Sequence, residues 1–190
     1  MIARVSPRLL AIDPGSVASG VVLYDPVCSE PVVYAAKVEN DHLLAWLHAK
    51  AIPYDVAGWH HLTGFHVFVV EFPHARGMPA SNDLFRTVWW VGRFAEAWGN
   101  HEAYVEIDRK DVKIAMCGVG NAKDSNIRAA LIDRFGGKDA AIGCKRAPGP
   151  LYGVKADAWS ALALAATYAE RGASSDNNPR PAVPGHREEQ

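Results

Sequence analysis

The chain has 190 residues, 49% of them apolar, enough for a single packed domain. Its three scattered cysteines (Cys28, Cys117, Cys144) form no CxxC pair, which excludes a disulfide framework or a cysteine-built zinc site; no run approaches the roughly 20 apolar residues of a membrane span and the N-terminus has no signal-peptide pattern, so a cytoplasmic protein is expected. The net charge of −1 hides an asymmetry: residues 109–155 hold ten Lys and Arg against four Asp and Glu, the pattern of a surface that grips a polyanion or of a solvated helical face.

From the N-terminus, residues 8–14, 18–25 and 31–38 are short apolar runs set off by Asp13-Pro14-Gly15, Asp25-Pro26 and Glu30-Pro31, which predicts three strands in an antiparallel meander. Asn40 or Asp41 is placed to cap a helix through HLLAWLHAK, residues 53–64 read as a loop, and GFHVFVVEF returns as a strand. Ser81, Asn82 or Asp83 caps the amphipathic helix DLFRTVWWVGRFAEAWG, which Gly99 ends. AYVEI is a fifth strand, residues 108–116 a short helix and 118–121 a loop, and Asp124 or Ser125 caps NIRAALIDRF. An Ala- and Leu-rich helix spans 154–171. Beyond Gly172 the sequence SSDNNPRPAVPGHREEQ loses all periodicity, so a domain over residues 1–172 and a disordered tail over 173–190 are expected. A meander followed by strands alternating with helices predicts an α/β fold, a mixed sheet of five strands flanked by helices.

Three acids sit where chemistry is possible. Asp13 and Glu71 each end an apolar, β-branched run, which reads as a buried strand delivering its last side chain to one sheet edge. If those strands are neighbours the two acids lie together, and Asp157, opening the Ala-rich helix, can join them. Carboxylates held that close repel one another and stay ionised only beside a cation; hard oxygen donors suit Mg²⁺ or Mn²⁺. Each acid also has a structural alternative. Asp13-Pro14-Gly15 is a common hairpin turn, Glu71 can pair with His74 or Arg76, and Asp157 can complement its helix dipole. The adjacent His60 and His61 do not converge on one ion.

Taken in order over residues 8–171, the stretches LLAIDPGSVASGVVLYD, VFVVEFPHARG, DRKDVKIAMCGVGNAKDSNIRAAL and GPLYGVKADAWSALALAA resemble the RuvC-like Holliday junction resolvases of the ribonuclease H-like superfamily. The resemblance implies a ribonuclease H-like fold, with Asp13, Glu71 and Asp157 as catalytic ligands of two Mg²⁺ or Mn²⁺ ions. It also implies that Lys113 and Lys123 contact backbone phosphate near the scissile bond, Lys123 taking part in catalysis. Phe72 would be either a wedge in the junction's base stack or a core phenylalanine. Lys145, Arg146 and Lys155 flank the loop CKRAPGPLYGVKAD as a backbone clamp, and Arg76 is placed with them on the DNA. One departure stands out: the family carries a fourth acidic or imidazole group one helical turn from the last aspartate, where this chain has Val154 and Ser160. Either three acids suffice, or water or Ser160 fills the gap, or a second metal site is weakly occupied.

Aromatics around more than one face of residues 85–98 predict either a homodimer seam or a helix sandwiched by the C-terminal helix. A two-fold dimer suits a symmetric junction. The expected activity is hydrolysis of four-way DNA junctions, leaving 5′-phosphate nicks, in a bacterial or phage-infected cytoplasm. Two readings compete with it: a ribonuclease H-like nuclease acting on forks, flaps or RNA–DNA hybrids, and a non-catalytic protein that binds branched DNA through residues 109–155. A sugar-kinase or actin-like ATPase shares the DxG hairpin, but this chain is too short for the two lobes that close over ATP.

Overall fold

The structure, a computed structural model, describes residues 7–53, 59–61, 64–75, 77 and 79–174. In chain order the elements are β1 (Leu9–Asp13), β2 (Ala18–Tyr24), β3 (Val32–Glu39), α1 (Asn40–Ala49), β4 (Ala51–Pro53), β5 (Trp59–His61), β6 (Val67–Glu71), α2 (Asn82–Trp98) and β7 (Tyr104–Ile107). There follow α3 (Arg109–Cys117), α4 (Asp124–Arg134), α5 (Lys138–Ala141), the hairpin β8 (Gly143–Cys144) and β9 (Ala147–Pro148), and α6 (Ala158–Ser174). The main sheet has five strands in the order β3-β2-β1-β6-β7. The meander β1–β2–β3 is antiparallel, while β6 and β7 join it in parallel.

Both faces of this sheet are covered, which is why its central strands are continuous apolar runs rather than alternating ones. Leu9, Ala11, Val67 and Val69 face the layer built by α6, α3 and α4. Leu10, Ile12, Phe68 and Val70 face α1 and α2 on the other side. The Ala-rich surface of α6, with Ala158, Ala161 and Ala165 fully buried, lets that helix lie close upon the strands. Closest approach is at Gly20, where an added Cβ would stand 2.3 Å from the carbonyl oxygen of Asp157. Among the described residues no helix is long and apolar enough to cross a membrane.

Several local details differ from the sequence expectation, each for a physical reason. The side chain of Asn40 makes no cap for α1. It is buried and turned into the β1–β2 turn instead, donating through Nδ2 to the Gly15 carbonyl (2.9 Å) and accepting at Oδ1 from the Ser19 hydroxyl (2.7 Å). Asp124 is the first residue of α4 rather than its cap, a place held by the extended Lys123, and its carboxylate accepts from Arg109. Residues 59–61 pair with 51–53 as a short ribbon inside what reads as a loop. The last helix starts at Ala158, four residues later than periodicity suggests, and runs to Ser174, two residues past the expected domain end; residues 175–190 lie outside the described residues. The expected cap Ser81 does accept from the Leu84 amide, and Gly99 ends α2 in the left-handed conformation.

Asn40 ties the turn after Asp13 to the start of α1, so Asn40→Leu would leave the Gly15 carbonyl and the Ser19 hydroxyl without their buried partner. Unfolding by urea should show a loss of about 2–3 kcal/mol; a loss near zero would mean that water replaces the amide.

Candidate active site

The sheet register brings the site together. Lys37, Gly20 and Asp13 face one another across β3, β2 and β1. Along the parallel pair, Ile12 stands opposite Val70, so the next step places Asp13 beside Glu71. Side-chain alternation from Ala11 and Val69 turns both acids toward the α6 layer. Asp157 reaches the same place from above, its carbonyl resting on Gly20 and accepting from the Ser160 and Ala161 amides as α6 begins. Ala156, just before it, is held at φ 46°, a left-handed conformation that costs a residue with a Cβ about 1–2 kcal/mol. That strain sits where the chain must turn to aim Asp157.

The electrostatics mark the centre. The Asp13 pKa is pushed up from 3.8 to about 7, first by burial and then by the Glu71 charge; Arg109 and a hydrogen bond with Ser160 pull it down, and Asp157 adds a further upward push. Ser160, three residues beyond Asp157, is thus a hydrogen-bond partner of Asp13.

Two cations that the sequence reading passed over complete the cluster. Arg109 donates from Nη1 to Glu71 Oε2 (2.9 Å) and from Nη2 to Asp124 Oδ1 (2.6 Å). Burial disfavours the Arg109 charge, but Glu71 and the bonds to both carboxylates outweigh it and hold its pKa above the ordinary arginine value. Lys37 Nζ lies 2.7 Å from Asp157 Oδ2, and that bond, with the charges around it, raises the lysine's pKa. The signal for Lys37 was a basic residue inside the strand VVYAAKVE; the signal for Arg109 was its place at the first helical position after the fifth strand.

Of the three predicted metal ligands, Asp13 and Glu71 are thus adjacent, while Asp157 arrives by its backbone with its carboxylate engaged by Lys37. Among the described residues no group of three or more His, Cys, Asp or Glu side chains is arranged to hold a metal ion. The donor set still fits a hard divalent cation. Asp13 and Glu71 offer carboxylate oxygens, and a proton affinity raised that far identifies a point where positive charge is wanted.

The predicted DNA contacts are spread over several elements. Lys113 is half-buried on α3, Lys123 is exposed immediately before α4, and Lys145 and Arg146 are exposed in the turn of the β8–β9 hairpin. A cleft of about 630 Å³ between α4 and the start of α6 runs from Lys155 and Asp157 to Arg109, and on its wall the Arg128 guanidinium lies 4.8 Å from the Trp159 ring centre. Phe72 faces the other way: it is half-buried against the layer of α1 and α2, with its ring 5.4 Å from that of His74, so its packing fits the core role. Arg76 lies outside the described residues. Of the two local partners expected for Glu71, His74 reaches Asp108 (3.3 Å), and Glu71 takes Arg109.

No family model matches the chain. No curated protein matches it either. Among solved structures it is similar to T. thermophilus RuvC in complex with a Holliday junction substrate, at 20% identity and a TM-score of 0.58, over 87% of this chain and 96% of that one. It is also similar to a Thermus thermophilus RuvC structure at 16% identity and a TM-score of 0.60, over 89% of this chain and 97% of that one. At such identities the likeness establishes the fold, a ribonuclease H-like α/β sheet with the strand pairing given above.

Proposed function

We propose that this chain is a divalent-metal-dependent endonuclease that hydrolyses one phosphodiester in each of two strands of a four-way DNA junction. The observation that carries the reading is the pairing of Asp13 with Glu71 at the ends of adjacent parallel strands, under the start of α6 and beside a basic cleft. The likeness in fold to a RuvC structure solved with a Holliday junction supports a four-way junction as the substrate class.

Asp13 and Glu71 would hold Mg²⁺ or Mn²⁺, with Asp157 completing the set of acids. A cation bound there would activate water toward phosphorus and offset charge on the leaving 3′-oxygen. The chain's own residues do the rest. Ser160 fixes one side of Asp13, and Arg109 fixes Glu71 against Asp124, so the two carboxylates keep one orientation. Lys123 and Lys113 take backbone phosphate near the scissile bond, and Lys145, Arg146 and Lys155 grip the strand as it leaves the cleft. Arg128 stacked on Trp159 offers a flat cationic face to an unstacked base.

A homodimer would bring two such sites to the paired strands. Helix α2 buries Trp90, Phe94 and Trp98 against the sheet yet leaves Phe85 and Trp89 63% and 56% exposed. The alternative cover by the C-terminal helix does not occur, because α6 lies on the opposite face of the sheet. Trp89→Glu should therefore convert a dimer to a monomer in light scattering, with at least a tenfold loss of paired nicking, about 1.4 kcal/mol or more. A wild-type protein that runs as a monomer at micromolar concentration would dispose of the α2 seam.

The direct test is a 5′-labelled four-way junction incubated with Mg²⁺ beside a linear duplex, a fork and an RNA–DNA hybrid. Symmetric nicks that ligase reseals, made fastest in the junction, are the expected products. Faster cleavage of the fork or hybrid would reassign the substrate, and binding without any nick would make the chain a branched-DNA-binding protein.

A further inference from the structure

Three acids around a phosphodiester need about as much positive charge as they carry, and in this chain part of that charge is already built in. Lys37 and Arg109 each hold one of the site's carboxylates, Asp157 and Glu71 respectively, at 2.7 and 2.9 Å. Asp13 feels the Arg109 charge and has a neutral hydrogen-bond partner, Ser160. The position where another acid would extend the set is that same serine, so the site is one ligand poorer and two cations richer than a bare carboxylate cluster. The Asp157 carboxylate, which a second ion would need, is already engaged by Lys37.

The two cations are not equivalent. Arg109 is largely buried, spends its planar fork on Glu71 and Asp124, and so acts as a brace. Lys37 is half-exposed and stands in the same cross-strand row as Gly20 and Asp13, and the Asp157 backbone that settles over the bare Gly20 brings its carboxylate within reach of the lysine. Its ammonium has three donors. One is given to Asp157, and the others are available to a phosphate lying over the site.

We propose that Lys37 takes the place of a second metal ion, so that the site binds one divalent cation at the Asp13–Glu71 end while Lys37 supplies the fixed positive charge at the Asp157 end. This rests on the nuclease reading above. Lys37 is then a catalytic residue that touches the scissile phosphate, and Asp157 positions it. The Lys37 pKa, raised by Asp157 and, more weakly, by Asp13, agrees with an ammonium held within the field of the acids.

Counting Mn²⁺ on the full-length protein tests this without reference to turnover. Electron paramagnetic resonance titrations with Mn²⁺, alone and with a four-way junction, should give one ion per chain in the wild type. In Lys37→Ala the released Asp157 carboxylate should recruit a second ion, its binding tightening at least about tenfold, while Lys37→Arg should remain at one. Far-ultraviolet circular dichroism confirms that the variants fold, as expected for a half-exposed side chain. Two ions of similar affinity in the wild type would overturn the assignment and leave the metal nuclease intact. One ion of unchanged affinity in both wild type and Lys37→Ala would remove Lys37 from the role. No ion in any form would bring down the metal-dependent reading and this inference together.

Discussion

Asp13→Asn should give a protein that no longer cuts DNA yet folds more stably without metal. Loss of the central carboxylate is expected to lower junction cleavage at least about 10³-fold, while junction binding stays equal or tightens because one repulsive charge next to phosphate is gone. Stability should move the other way. In the folded chain Asp13 titrates at about 7 against an ordinary 3.8, raised by burial first and by Glu71 second. Between those values the folded protein keeps a proton that the unfolded chain has released. Its stabilising effect is complete below pH 3.8, declines as pH rises, and is lost once pH passes about 7. A shift of that size corresponds to as much as about 4 kcal/mol by pH 8. Urea unfolding in chelator at pH 5 and pH 8 should therefore show a falling stability for the wild type and a smaller fall for Asp13→Asn, with the variant ahead at pH 8. Added Mg²⁺ should rescue the wild type at pH 8 and do little at pH 5. Parallel curves for the two proteins would mean that Asp13 is not held in a field of acids.

Gly20→Val is the second large effect. A Cβ at this position would stand 2.3 Å from the Asp157 carbonyl oxygen, 2.5 Å from its carbonyl carbon and 3.1 Å from the Ala158 nitrogen. All three are backbone atoms at the start of α6, so no side chain can swing aside. The helix has to lift, and with it go the fully buried Ala158, Ala161, Leu162 and Ala165. A loss of at least about 3 kcal/mol is expected in urea unfolding, together with loss of cleavage, since Asp157 moves with the helix. Gly92→Ala in α2 is the contrast: its Cβ meets nothing within 4 Å, and it should gain up to about 1 kcal/mol from helix propensity. Equal behaviour of the two variants would show that α6 does not rest on β2 as described.

The strands were legible because their signal is local. LLAID and VFVVE are apolar at every position but the last, the mark of strands covered on both faces, and their flanking turns punctuated the meander. That each ends in an acid pointed to a site, and the parallel register of β1 with β6 makes those two acids neighbours. What sequence could not supply was the set of partners. Arg109 reaches Glu71 from 38 positions away and Lys37 reaches Asp157 across 120 residues of chain, distances at which no periodicity speaks. His74 lies nearer to Glu71 along the chain, yet it is turned to Asp108, because proximity in sequence says little once a strand has ended. Asn40 shows the same limit: a residue type suited to capping a helix was recruited to hold the turn behind Asp13. The strained Ala156 carries no sequence mark at all, since glycine is the residue ordinarily expected at a positive φ.

The most direct measurement is a crystal structure of the protein grown with Mn²⁺ and read by anomalous scattering. A peak coordinated by both Asp13 and Glu71, with Asp157 and Lys37 beside it, is the expected result. If Mn²⁺ binds elsewhere, or if Asp13 and Glu71 keep their bonds to Ser160 and Arg109 and take no metal at saturation, the two acids are structural and the proposed nuclease chemistry fails.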